Sequence, residues 1–205
     1  MNATNVLQKI TKDMYIDIKL IELSGFVSAL QALRLPDGLE CRSKTQVEFN
    51  TRTEGKTAES SRCIEFGSGS WVRVNDKDED LLKSLIRRGD EHAKVIRGIV
   101  AYVEINAPRF FWQEASTYRI GCEVLASEST MHMQGKGLSE EELVKMKNEL
   151  PEGTMQKRIV MLSYQTLRRI YKQRRKHRLP HWREFCAWIE TLPYSWMITE
   201  GINND

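Results

Sequence analysis

IVAYVEINAPRFFWQEASTYR, residues 99–119, sets a strand-like run directly against a helix-like one. Ile99–Ile105 is a short apolar, β-branched run of the kind that forms a buried strand. Pro108 stands where the first turn of a helix tolerates a missing N–H, so a helix is expected from there to about Arg119. Upstream, Asn75 or Asp76 caps a helix through Leu81, Leu82, Leu85 and Ile86 that Gly89 ends. Further back, Tyr15–Leu23 alternates apolar and polar residues as a strand does, and Ser24 is expected to cap a helix from Gly25 to Leu35 that Pro36 stops. The intervening residues 37–75 form a polar excursion rich in Gly, Ser and Thr, with β-like pieces at Gln46–Asn50 and Trp71–Val74. Downstream, Ser139 with Glu142 three residues later is a capping box opening a helix within Leu138–Leu150. Gln156–Ser163 reads as a strand, Tyr164–Lys176 as a helix, and Trp182–Thr191 as a last helix just after Pro180. The sum is a single α+β domain over residues 1–205.

Composition agrees with that reading. In 205 residues, 40% are hydrophobic and 29% charged, which is globular rather than disordered. No uninterrupted apolar run approaches a membrane span, and Met1–Thr11 lacks the pattern of a signal peptide, so a cytoplasmic protein without membrane contact is expected. Cys41, Cys63, Cys122 and Cys186 are scattered with no CxxC pair, which predicts free thiols and no metal site. The net charge of +3 is small, yet seven of the eleven residues Arg168–Arg178 are Lys or Arg. That run is a candidate nucleic-acid contact, although a solvated basic face through Arg168, Lys172, Arg175 and Lys176 is the plainer reading.

Two segments concentrate polar chemistry. On the helix Tyr164–Lys176, Leu167, Ile170, Tyr171 and Arg174 follow helical spacing, so Arg174 extends an apolar stripe and needs a partner. A core-side carboxylate or an anionic ligand would serve. In the helix after Pro108, Glu114, Thr117 and Tyr118 share a face, with Arg119 at its end. The following GCEVLASEST places Gly121, Cys122, Ser127, Ser129 and Thr130 before His132, a run able to wrap a phosphate if it forms a loop. Nothing in the spacing makes Cys122 and His132 a thiolate and base. His177 and His181 are four apart, but Pro180 interrupts the helix that would align them on a metal. No phosphate-binding glycine motif is present.

In order, these segments resemble the flavin-dependent thymidylate synthases, the ThyX family, which methylates dUMP with FAD, NADPH and methylenetetrahydrofolate. The resemblance runs from about Asp80 to Met197 and includes the opening Tyr15–Leu35. A family strand ending in Ala-Pro leads to a helix with RQWxRHRxxS and a loop with SxRY, and here APRFFWQEASTYRIGCEVLASEST fills that span. The family's NxRxLxxFxxxR helix looks like SYQTLRRIYKQR, and its next helix, carrying Trp-Glu-Ile-Arg, looks like HWREFCAWI.

The resemblance implies a central, mostly antiparallel sheet flanked by helices, a homotetramer, and a pyrimidine nucleotide such as dUMP. It makes Arg174 and Arg119 the groups that polarise the nucleotide and Ser127 a phosphate contact, with Glu114 and Ser129 also at nucleotide positions. His132 is a candidate acid or base. Phe110, Phe111, Trp112, Trp188 and Trp196 are expected in the core or an interface. FAD is the implied cofactor. Ser163, Gln165 and Arg169, however, replace the family's flavin-associated NxRxxxN, Thr117 and Tyr118 replace the first two residues of Arg-His-Arg, and Glu114 replaces a Gln. A carboxylate cannot donate a hydrogen bond unless protonated, and it repels phosphate. The expectation is a divergent ThyX-like protein of phage type, acting in a host cytoplasm, that binds a pyrimidine nucleotide. The alternative is a non-catalytic regulatory, nucleic-acid- or protein-binding chain on the same fold.

Overall fold

The computed structural model describes residues 15–37, 46–49, 63–65 and 70–202. Strand β1 (Asp17–Ser24) is followed by helix α1 (Phe26–Arg34), which buries Phe26, Ala29, Leu30 and Leu33. The cap is not the expected Ser24. Ser24 is the last residue of β1, and the N-cap is Gly25 at φ 88°, without a side-chain cap bond. A Cβ at Gly25 would fall 1.8 Å from the Gly98 carbonyl oxygen, so close backbone approach dictates the residue there.

Short strands β2 (Gln46–Phe49), β3 (Cys63–Glu65) and β4 (Ser70–Arg73) pair antiparallel in the order β2-β4-β3. The polar excursion thus contains a small sheet at both expected β-like pieces; residues 38–45, 50–62 and 66–69, Cys41 among them, lie outside the described ones. Helix α2 (Asp76–Arg88) is capped as expected by the Asn75 side chain, which accepts from Lys77 N, and ends at Gly89.

The main sheet is built on β5 (Val100–Pro108). Its alternate residues Ala101, Val103, Ile105 and Ala107 are fully buried, as period-2 patterning requires of a central strand. After β5 come helix α3 (Arg109–Ala115), strand β6 (Cys122–Ser127), short helix α4 (Thr130–Gln134), helix α5 (Glu140–Glu149) with its capping box, and strand β7 (Met155–Ser163). Helices α6 (Tyr164–Arg174), α7 (Pro180–Glu190) and α8 (Trp196–Thr199) follow. The strand order is β1-β5-β7-β6, and every pairing is antiparallel. Leu167 and Ile170 of α6 and Trp182, Phe185 and Ile189 of α7 join the β5 side chains in one buried cluster.

Two further expectations are corrected. The helix after Pro108 stops at Ala115, because the hydroxyls of Ser116 and Thr117 donate back to the carbonyls of Gln113 and Glu114 and close it. Arg119 therefore lies beyond the helix. The run expected to wrap a phosphate as a loop is instead largely the edge strand β6.

Candidate functional site

Arg174 finds its partner inside the chain. Its Nη1 donates to Glu114 Oε2 at 2.7 Å, and its Nε donates to the Tyr118 hydroxyl at 2.8 Å. Trp182 Nε1 donates to the same Glu114 oxygen at 2.8 Å, and the guanidinium lies 4.7 Å over the Trp182 ring. His177 Nε2 stands 2.9 Å from Arg174 Nη1 and 3.8 Å from Glu114 Oε2. The Tyr118 hydroxyl completes the network by donating to Gln173 Oε1. Glu114 thus occupies the place of the anion that Arg174 requires. Tyr118 reaches Arg174 although it lies outside the helix whose face it was expected to share with Glu114.

A pocket of about 440 Å³ lies between α3 and the β6–β7 face, lined among others by Trp112, Tyr118, Arg119, Cys122, Arg158 and Val160. Arg119 lines it while Arg174 and Glu114 do not, and Tyr118 touches both the pocket and Arg174. Cross-strand partners share a face of a sheet, and the register Cys122↔Leu162, Val124↔Val160 and Ser127↔Arg158 brings Cys122, Val124, Val160 and Arg158 to the pocket together. Burial holds the Cys122 thiol above its ordinary range, and the nearby Glu123 charge adds to this. The thiol is therefore protonated at neutral pH and a poor nucleophile.

Arg158 is the residue that sequence reasoning missed. Its Nε and Nη2 both donate to Gln156 Oε1, at 3.2 and 2.9 Å, and its guanidinium lies 4.6 Å over the Trp112 ring. Trp112 is itself fixed, its Nε1 donating to the Gln156 carbonyl at 2.8 Å. No carboxylate pairs with Arg158 among the described residues, and burial pulls its pKa below the ordinary value. Arg158 is thus a half-buried cation held on a neutral amide and an aromatic face. The available signal was period 2: Arg158 continues the strand face of Val160 and Leu162.

The other expected site residues are dispersed. Ser127 is exposed on β6 opposite Arg158. Ser129 caps α4, its oxygen accepting from His132 N at 3.4 Å, and His132 is exposed and does not line the pocket. The basic run is not a uniformly solvated face. Arg168 is buried at 6% exposure, donating to Asp90 Oδ1 and to the carbonyls of Ile198 and Glu200. With Arg174 also turned inward, the electrostatic case for nucleic acid weakens. Among the described residues no cluster of His, Cys, Asp and Glu could hold a metal ion, and no helix is long and apolar enough to cross a membrane.

The three positions that the resemblance assigns to flavin are internally engaged. Ser163 caps α6 by accepting from Thr166 N, Gln165 accepts from Arg97 Nε and donates to Asp90 O, and Arg169 Nη2 donates to Ile120 O. Ser163 and Gln165 thus spend their polar groups inside the chain, whereas Arg169 keeps its buried Nε without a partner.

No family model and no curated protein matches the chain. Solved structures do match. Flavin-dependent thymidylate synthase ThyX from Helicobacter pylori, complexed with FAD and dUMP, aligns with a TM-score of 0.59 at 14% identity over 91% of this chain and 100% of that one. The fold is ThyX-like. A second H. pylori ThyX structure with FAD and dUMP gives a TM-score of 0.60 at 13% identity, covering 93% of this chain and all of the other. The UMP/dUMP methylase PolB from Streptomyces cacaoi, bound with 5-Br dUMP, gives 0.56 at 12% identity, covering 91% and 95%. The ThyX-like antiparallel sheet and flanking helices agree with the expected α+β class. At such identity the likeness concerns the backbone, while the side chains of the site are this chain's own.

Proposed function

We propose that this chain binds a pyrimidine nucleotide in the pocket between α3 and the β6–β7 face and does not perform flavin-dependent thymidylate synthesis. The observation that carries the reading is Arg158, a half-buried guanidinium laid on Trp112 with only a neutral side-chain partner. Arg119 lines the same pocket and adds a second cation, while Val124, Val160 and Tyr118 offer an apolar bed for a pyrimidine ring. The structures of similar fold hold dUMP or 5-Br dUMP, which supports a pyrimidine over other anions. Against methyl transfer through a flavin stand the internally satisfied Ser163 and Gln165, together with an Arg174 already paired to Glu114.

The roles of the chain's own groups follow. Arg158 and Arg119 neutralise phosphate, and Trp112 holds Arg158 in orientation. Exposed Val124 and Leu125 on the edge strand β6 are compatible with the homo-oligomer that the resemblance implies.

Thermal shift of the full chain with dUMP, UMP and FAD tests this reading. A ligand at about one hundred times its Kd stabilises by about 2.7 kcal/mol. The expected result is a rise in Tm with dUMP or UMP that R158A and R119A abolish and R174A retains, with no rise from FAD. A flavin-coloured purified protein, or a dUMP shift lost in R174A but kept in R158A, overturns it.

A further inference from the structure

A second recess of about 280 Å³ adjoins the first and shares Trp112, Ser116 and Arg158 with it, its other walls being Arg109, Gln113 and Gln156. Arg158 therefore faces two cavities with a single guanidinium. Its bonds to Gln156 engage the Nε hydrogen and one on Nη2, leaving three of its five donors for other acceptors. Across the recess stands Arg109. Its Nη1 reaches the Leu150 carbonyl only at 3.5 Å, and its Nη2 lies a long 3.8 Å from Glu152 Oε1.

Glu152 is exposed and held at the rim by Gln113, whose Nε2 donates to its other oxygen at 2.8 Å. Two further acids stand nearby: Glu123 lines the larger pocket, and Glu128 is committed, its carboxylate accepting from Lys157 N and its carbonyl from Gln156 Nε2. The recess thus has two guanidinium walls, amide donors from Gln113 and Gln156, and one loosely attached carboxylate that a stronger anion could displace. It lacks the apolar bed of the larger pocket, having Trp112 as its one aromatic side chain.

We infer that this recess is a phosphate subsite, so that the preferred ligand is a pyrimidine nucleotide carrying more than one phosphate, its chain bridging from Arg158 to Arg109. The inference rests on the nucleotide reading of the larger pocket. Guanidinium forks bind phosphate by paired charge-assisted bonds, and Arg158, common to both cavities, is placed to take the phosphate nearest the nucleoside. A monophosphate in the larger pocket leaves Arg109 on its weak pairing with Glu152. A diphosphate reaches it.

Calorimetric titration of the full chain with dUMP, dUDP and inorganic pyrophosphate reads this directly. Wild type should bind dUDP about tenfold or more tightly than dUMP, the factor corresponding to one further charge-assisted contact. R109A should bring that ratio close to one, and R109K, which keeps the charge but loses the fork, should give an intermediate ratio and guard against a folding defect in R109A. If dUMP binds but dUDP is no tighter, or the ratio survives in R109A, the subsite is wrong and the nucleotide reading stands. If pyrophosphate binds in a manner lost in both R109A and R158A while no pyrimidine nucleotide binds, the anion recess stands and the nucleotide reading falls.

Discussion

Glu114 is asked to do the work of a ligand. Two hydrogen-bond donors, Arg174 and Trp182, converge on one of its oxygens in a half-buried setting, with Arg174 at 18% and Glu114 at 33% side-chain exposure. Removing the carboxylate strands a guanidinium between two rings, so Glu114→Ala should cost about 2–3 kcal/mol. Arg174→Ala should cost a similar amount, and the double variant clearly less than the two together, because the residues act as a pair. Urea unfolding of the four proteins measures this, and strictly additive losses would show that the pair carries no coupling. That Arg174 needed a partner was legible from its place on the apolar stripe of α6; that the partner is Glu114 was not, since sixty positions separate them and only the tertiary fold joins them. Cys122 gives a second residue-scale prediction. With its pKa raised above the ordinary 9.0 by burial, iodoacetamide should label it slowly at pH 7 and faster only as pH climbs past that value. Rapid labelling at neutral pH contradicts the protonated thiol.

Strand β6 shows why patterning reveals some elements and hides others. β5 and α6 each bury one face deeply, so their apolar residues recur with the period of the structure and could be read. β6 has no fully buried residue and a bulge between Val124 and Ala126, so its alternation carries no signal and its serines pass for a loop. The end of α3 was hidden differently, because Ser116 and Thr117 close it by local hydroxyl bonds rather than by Gly or Pro. At the junction of β1 and α1, chain geometry overrides the usual capping preference. Gly25→Ala must adopt positive φ and also push the Gly98 carbonyl away, a loss of about 3 kcal/mol or more in stability. A Tm unchanged by that substitution would mean that the Gly25 and Gly98 backbones are not in close approach.

Over the whole molecule, stability should weaken on the acid side through His181. Its ring lies 5.0 Å from Tyr15 and 4.9 Å from Phe110, with Nδ1 buried and unpartnered. Burial lowers its pKa below 6.5, against the opposing pull of Glu184 and Glu114. The folded chain then binds fewer protons than the unfolded chain, so this contribution is present above pH 6.5 and is lost as pH falls through the lower folded value. His181→Phe should flatten the fall in Tm below that pH, and an acid limb identical to wild type would assign it to other groups. Arg168 sets a different kind of limit. Its buried guanidinium closes on the carbonyls of Ile198 and Glu200, the first of them thirty positions later in the chain. On a ribosome adding about 5–20 residues per second, those carbonyls arrive roughly 2–6 s after Arg168 itself. The clock of translation, rather than the intrinsic speed of helix formation, therefore decides when the α6–α8 lock can form, and a released chain truncated before Ile198 should be cut within α6 by a protease that spares the full-length protein.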